Sequence, residues 1–341
     1  MSLHRAFIGQ IRRALATVTV AASVTGLSLV GGTPAHADAV VDCNRGDSLQ
    51  TAIDDAIENA AGTTPTLTVT GFCEGTFTIK GDLNIQGSPG AVLDAGHAGP
   101  VITITGAKVQ LSNLIIRNGA NMGNGGGITV GAKGSLTLNT SRITRNAATK
   151  GGGIYSGGSL VVKNSQITGN TTPAEGEGGG VYDTGSLAVE NSLITRNTAA
   201  FGGGIYNFGG EVTVSNSLIR RNTATVSGGG IENASVSGGT VTLTHSQVAN
   251  NRASAGDGGG IDNNSSSQLT LDKSIVSRNT ASDNGGGINN FAGDITLDMS
   301  LVTLNRARNG GGGINNSSGT VTLNTFSQVI YNIPDNCVNC S

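Results

Sequence analysis

The sequence predicts an all-β fold of stacked coils, and three observations predict it. Gly125-Gly126-Gly127-Ile128 is the first of eight glycine triplets, and later triplets precede Ile154, Val181, Ile205, Ile231, Ile261, Ile288 and Ile314. The steps between these aliphatic residues run from 24 to 30 residues. A self-similar period in the twenties marks stacked supersecondary units. Each period also carries an apolar-x-apolar segment, such as Val212-Thr213-Val214 or Leu269-Thr270-Leu271. This alternation, rich in Val, Ile and Thr and bounded by Gly and Asn, predicts very short strands joined by turns. No window of the repeat sustains helical spacing, and three consecutive glycines oppose a helix.

Two polar columns complete the repeat. The serines are Ser141, Ser165, Ser192, Ser217, Ser246, Ser274, Ser300 and Ser327. An aliphatic residue follows each by two, and an asparagine by five: Asn146, Asn170, Asn197, Asn222, Asn251, Asn279, Asn305 and Asn332. Asn118 extends the asparagine column by one turn. Coils stacked at about 4.8 Å would place like residues on like. Asparagine tolerates the left-handed backbone of such turns, and its amide can bond to the coils above and below. Both columns are therefore expected to be structural.

The pairing of Gly203-Gly204-Ile205 with Ile219-Arg220-Arg221-Asn222 resembles a known family. The chain is similar to secreted right-handed parallel β-helix proteins of the pectin-lyase type, over about residues 64 to 332. Its repeats are similar to those of polymorphic outer-membrane proteins, with Ile or Val where that family carries Phe and with no segment able to form its membrane barrel. The resemblance implies a single right-handed parallel β-helix, and the repeats counted along the chain give it about eleven coils, with an N-terminal capping α-helix expected from residues 48–60. The rival architecture, a leucine-rich repeat, needs a helix or spacer where this chain has its glycine triplets.

Residues 1–37 read as a signal peptide. Arg5, Arg12 and Arg13 precede an apolar run from Ala14 to Val30, and Ala35-His36-Ala37 is a small-x-small cleavage site. The twin arginines leave the Sec and Tat routes both open. Removing this segment takes the formal charge from −2 to about −5, which argues against nucleic acid as a partner. Residues 38–62 form the N-terminal cap. Leu49, Ala52, Ile53, Ala56 and Ile57 recur at helical spacing behind Asp47 or Ser48 as N-cap. Such a helix, laid across the open end of a coil stack, covers its apolar side chains and strand edges. The parallel β-helix spans 63–332, and 333–341 is a cysteine-containing tail. Four cysteines allow three connectivities. Cys43 and Cys73 lie near the first coil and Cys337 and Cys340 near the last, so pairing within each end is expected.

The catalytic inventory is sparse. Outside the signal segment only His97 and His245 remain, with no Ser-His-Asp or metal-ligand spacing and no phosphate-binding loop. No cofactor or metal is expected. If each repeat aliphatic points inward, its neighbour points outward. That outward column reads Thr129, Tyr155, Tyr182, Tyr206, Glu232, Asp262, Asn289 and Asn315. Tyr155, Tyr182, Tyr206, Glu232 and Asp262 form a candidate ligand stripe, in which each ring could offer a face to a sugar. Glu232 and Asp262, one coil apart, are the catalytic candidates if the chain is an enzyme. A cationic column is read from Arg117, Arg145, Arg196, Arg221 and Arg278, each preceding an asparagine of the ladder. Thr213, Thr242, Thr270, Thr296 and Thr322 form an outward threonine column that ordinary β propensity explains. The resulting expectation is a secreted, monomeric, non-enzymatic module at the cell surface or outside the cell. Its partner would be a polysaccharide or other cell-wall polymer, with no membrane partner after signal removal. The alternative is a polysaccharide lyase or glycoside hydrolase of the pectin-lyase-like fold.

Overall fold

The structure is a computed structural model that describes residues 39–234, 238–324 and 326–340; the predicted signal peptide lies outside the described residues. The chain from Asp38 onward is one compact unit. It winds as a right-handed parallel β-helix of about eleven coils. One coil illustrates all of them. Strands Ile205–Phe208, Glu211–Ser215, Leu218–Arg220 and Thr223–Ser227 follow one another before the triplet Gly228-Gly229-Gly230 delivers the chain to Ile231. Pairing to the next coil is parallel throughout, with Ile205 opposite Ile231, Val212 opposite Val241, Ile219 opposite Val248 and Ala224 opposite Ala253.

The aliphatic residue after each triplet points inward. Ile128, Ile154, Val181, Ile205, Ile231, Ile261, Ile288 and Ile314 are all 0% exposed. Burying each such side chain stabilises the fold by roughly 1.5–3 kcal/mol. The triplets mark where coil meets coil most closely. Gly202 has φ +61°, a left-handed conformation that favours glycine. A Cβ on Gly203 would lie 2.6 Å from the carbonyl oxygens of Gly229 and Thr223, and one on Gly204 would lie 2.5 Å from that of Gly230. Any side chain there would collide with the next coil's backbone.

The asparagine column is a continuous buried ladder. The Asn222 amide donates to Asn251 Oδ1 and to the Ile194 carbonyl, each at 3.1 Å. Its Oδ1 accepts from Asn197 N at 3.0 Å and Asn197 Nδ2 at 3.1 Å. All four hydrogen-bonding positions of the amide are thus filled. The serine column forms a parallel ladder in which the N–H of Ser192 donates to Ser217 Oγ at 2.9 Å and that of Ser217 to Ser246 Oγ at 3.1 Å.

A second, inner asparagine ladder was not anticipated. Asn207 donates to Asn233, Asn233 to Asn263, Asn263 to Asn290 and Asn290 to Asn316, at 2.7–2.9 Å. Its signal is an asparagine two residues beyond each repeat aliphatic in the later coils. One register differs from expectation. Ile116 stands opposite Ile143 and Arg117 opposite Thr144. Gly119, not Asn118, therefore occupies the ladder position, and its N–H donates to Asn146 Oδ1 at 2.8 Å. Arg117 consequently leaves the cationic column and pairs with Asp94 at 2.8 Å. Of the doubled Ile115-Ile116, the second and not the first is the inward residue.

Both ends are closed. The helix Leu49–Glu58 is capped by the Ser48 side chain and buries Leu49 and Ile53. Gln50 accepts from Thr78 N at 2.8 Å and donates to its carbonyl at 3.1 Å, satisfying a strand edge as another strand would. Cys43 and Cys73 are disulfide-bonded with a Cα separation of 5.1 Å, and Cys337 and Cys340 are bonded in the tail. At the far end Asn336 accepts from the last ladder residue, Asn332, and Asn339 exchanges two hydrogen bonds with Asn316.

Candidate functional site: the tyrosine–carboxylate column

Parallel pairing brings the five candidate residues into one column. Tyr155 stands opposite Tyr182, Tyr182 opposite Tyr206, Tyr206 opposite Glu232 and Glu232 opposite Asp262. Each follows an inward aliphatic, so strand alternation turns it away from the core. The column is nevertheless closed in. Tyr182, Glu232 and Asp262 are each 3% exposed and Tyr206 is 8% exposed. The expectation of an open track is corrected in this respect.

Two features close it. The rings stack on one another, with centroids 5.5 Å apart for Tyr155 and Tyr182 and 5.1 Å apart for Tyr182 and Tyr206, nearly parallel in both cases. Coil spacing alone imposes this. Each ring therefore spends its faces on its neighbours, and only Tyr155, stacked on the small Thr129, stays half-buried. The residues just before the triplets then fold alongside. Lys150 Nζ lies 4.9 Å from the Tyr182 ring centroid and 3.4 Å from its hydroxyl, and pairs with Glu177 at 3.1 Å. Burial raises the Tyr182 hydroxyl, and Lys150 opposes this. Burial, then Glu177 and Glu232, hold the Tyr206 hydroxyl well above the ordinary tyrosine range.

The two carboxylates form a buried pair. Asn264 Nδ2 donates to Glu232 Oε1 at 2.8 Å and to Asp262 Oδ2 at 3.1 Å, bridging them. Ser227 Oγ lies 2.7 Å from Glu232 Oε2, and Asn289 Nδ2 donates to Asp262 Oδ1 at 2.8 Å. All four oxygens are engaged by the protein itself. Burial, and then the charge of Asp262, raise Glu232 well above the ordinary glutamate value; burial pushes Asp262 up to about 6 against the Asn289 and Asn264 amides. Burial and mutual charge thus act in the same direction on the two carboxyls, each favouring its neutral form. Among the described residues no three His, Cys, Asp or Glu side chains are grouped as metal ligands.

The fold family follows from a sequence match. The family described as "Right handed beta helix region" matches residues 100–274. The chain belongs to this family. No curated protein matches the sequence. Among solved structures, the β-helix is similar to a pectin methylesterase from carrot at 9% identity, over 88% of this chain and 90% of that one, with a TM-score of 0.38.

The β-helix places the remaining candidates on other faces. Arg145, Arg196, Arg221 and Arg278 share one exposed column and have φ of 54–58°. His245 occupies another left-handed turn column, with Asn164, Asn191, Asn216 and Lys273, at φ of 47–49°. There it lines a groove of about 640 Å³ above the serine ladder, as a turn residue among turn residues. The threonine column is in register, Thr213 against Thr242, Thr270, Thr296 and Thr322.

Proposed function

We propose that this β-helix is a secreted, non-enzymatic module that binds polysaccharide at the cell surface or outside the cell. The observation that carries the reading is the repetition of one outward polar side chain over several successive coils, as in the threonine column from Thr213 to Thr322 and the Asn164–Asn191–Asn216 column. A surface that repeats at about 4.8 Å suits a ligand that itself repeats, a linear polymer. Secretion rests on the signal-like residues 1–37 and on two disulfides, which persist in oxidising compartments. The engagement of all four Glu232 and Asp262 oxygens by Ser227, Asn264 and Asn289 speaks against catalysis there.

One observation favours the alternative, a polysaccharide-cleaving enzyme. A general acid needs a raised carboxyl, and Glu232 and Asp262 are both raised. The test is retention of the mature protein on a panel of insoluble neutral and acidic polysaccharides. The binding reading expects retention on at least one of them. It fails if none retains the folded protein.

A further inference from the structure

We propose that the arginine-bearing turn face of this β-helix is a binding site for an acidic polysaccharide, its charges supplied by carboxylate or phosphate groups along a linear chain. The proposal rests on the polysaccharide-binding reading and names the ligand class and the face.

Three adjacent columns make up this face. The first runs Thr144, Thr168, Thr195, Arg220, Ala249, Ser277 and Thr303 by strand register. The second is the left-handed column from Arg145 to Leu304, and the third includes Thr198, Thr223, Arg252, Thr280 and Arg306. From the coil of Arg145 to that of Arg306, these columns contain no aspartate or glutamate. A face with only cations is unexpected on a chain whose formal charge is −2.

The arginines are also unspent. None of Arg145, Arg196, Arg221, Arg278, Arg220 or Arg252 is in an ion pair among the described residues. Arg220 is half-buried, and its Nε has no hydrogen-bond partner among the described residues. The exposed guanidiniums of Arg145, Arg196, Arg221 and Arg278 are thus open to an anion.

Backbone conformation fixes where these side chains stand. Arg145, Arg196, Arg221 and Arg278 have φ of 58°, 56°, 55° and 54°. Glycine and asparagine adopt this conformation most easily, and Gly169 and Asn250 hold the same position in other coils. Arginine at four of these positions is strained where a cheaper residue is sterically acceptable. Leu304 holds the same position at φ 58°, so the turn accepts a long side chain, and four of the seven positions from Arg145 to Leu304 carry arginine. Successive arginines stand one or two coils apart, about 5 to 10 Å, so a single extended chain can meet all four. Planar guanidinium groups match carboxylate and phosphate oxygens in bidentate fashion.

The test uses the double variant Arg196→Asn/Arg221→Asn, which removes two charges while installing the residue that Asn250 already represents there. Its melting temperature is expected to equal or exceed that of wild type. Polygalacturonate, a phosphomannan, a neutral β-glucan and a DNA duplex are the probes. Wild type is expected to bind one or both acidic polymers with affinity falling as salt rises, and the double variant to bind about tenfold more weakly with a shallower salt dependence. Loss confined to polygalacturonate assigns carboxylates, and loss confined to the phosphomannan assigns phosphates. Equal affinity of the two proteins for every acidic polymer overturns the proposal. Retention by the neutral glucan alone also overturns it while leaving the polysaccharide-binding reading intact. DNA bound as tightly as the acidic polymers, with the same loss in the variant, rejects the acidic polysaccharide in favour of a general polyanion surface. If no polysaccharide retains wild type, both readings fall.

Discussion

Asn222 shows what one residue of the ladder holds together. Replacing it with leucine strips the partner from the Asn197 N–H and amide, from the Ile194 carbonyl and from Asn251 Oδ1. Each buried group left unpaired costs about 1–3 kcal/mol. Thr242→Ala changes a half-buried outward side chain and should stay within about 0.5 kcal/mol. Thermal denaturation of the two variants should therefore separate clearly, and equal melting temperatures would contradict the ladder's role. Asp183 shows the converse. It occupies the inner ladder's column below Asn207, is 0% exposed, and neither carboxyl oxygen has a well-formed hydrogen bond. Burial pushes it up to about 7, against smaller opposing effects of the Ser156 hydroxyl and the Gly185 N–H. The unfolded chain releases this proton above about pH 4, while the folded chain keeps it to about pH 7. Stability should therefore fall as pH rises through that window and level off above it, with a total effect on the order of 4 kcal/mol. Asp183→Asn supplies an uncharged amide to the ladder. Melting temperatures from about pH 4 to about pH 8 should show little change at the acid end and a gain at the alkaline end. Glu232 and Asp262 add a slope of the same sign, so the variant removes only part of the dependence. An unchanged pH profile would show that Asp183 is not buried as described.

At the scale of elements, the N-terminal helix and the strands were legible for different reasons. The helix announced itself through Leu49, Ile53 and Ile57 at helical spacing, and the strands through glycine, serine and asparagine columns that repeat eight times. A repeated signal corrects its own errors; a single coil does not. Hence the register slip at Arg117 and Asn118, in the less regular coil that precedes the first triplet. The closure of the tyrosine stripe was illegible for another reason. It depends on Lys150 and Glu177, which precede their triplets in segments of variable length. Alternation says which way a side chain points, not what folds over it. The disulfide between Cys43 and Cys73 ties the short helical turn before the capping helix to the first coil. Cys43→Ser should loosen that end alone. Hydrogen exchange should accelerate over Leu49–Glu58 and remain unchanged over Leu218–Arg220. Uniform acceleration along the stack would show that the cap and the coils unfold together.

At the scale of the whole molecule, nearest-neighbour contacts dominate, so each coil depends on the two beside it. The tail that engages Asn332 and Asn316 therefore protects both ladders at once. The same one-dimensional order gives the surface its repeating columns, on which the proposed function places binding without cutting. Glu232→Gln decides it, because glutamine keeps the size and hydrogen-bonding reach of the side chain while abolishing its acid chemistry. The measurement is product release from soluble polysaccharides by wild type and Glu232→Gln, alongside retention of both on the polymer that binds. The account predicts no products from either protein and retention that differs at most about threefold, as expected of a residue outside the contact surface. Release of sugar fragments by wild type, lost by many orders of magnitude in Glu232→Gln, would contradict it and make the buried pair an active site.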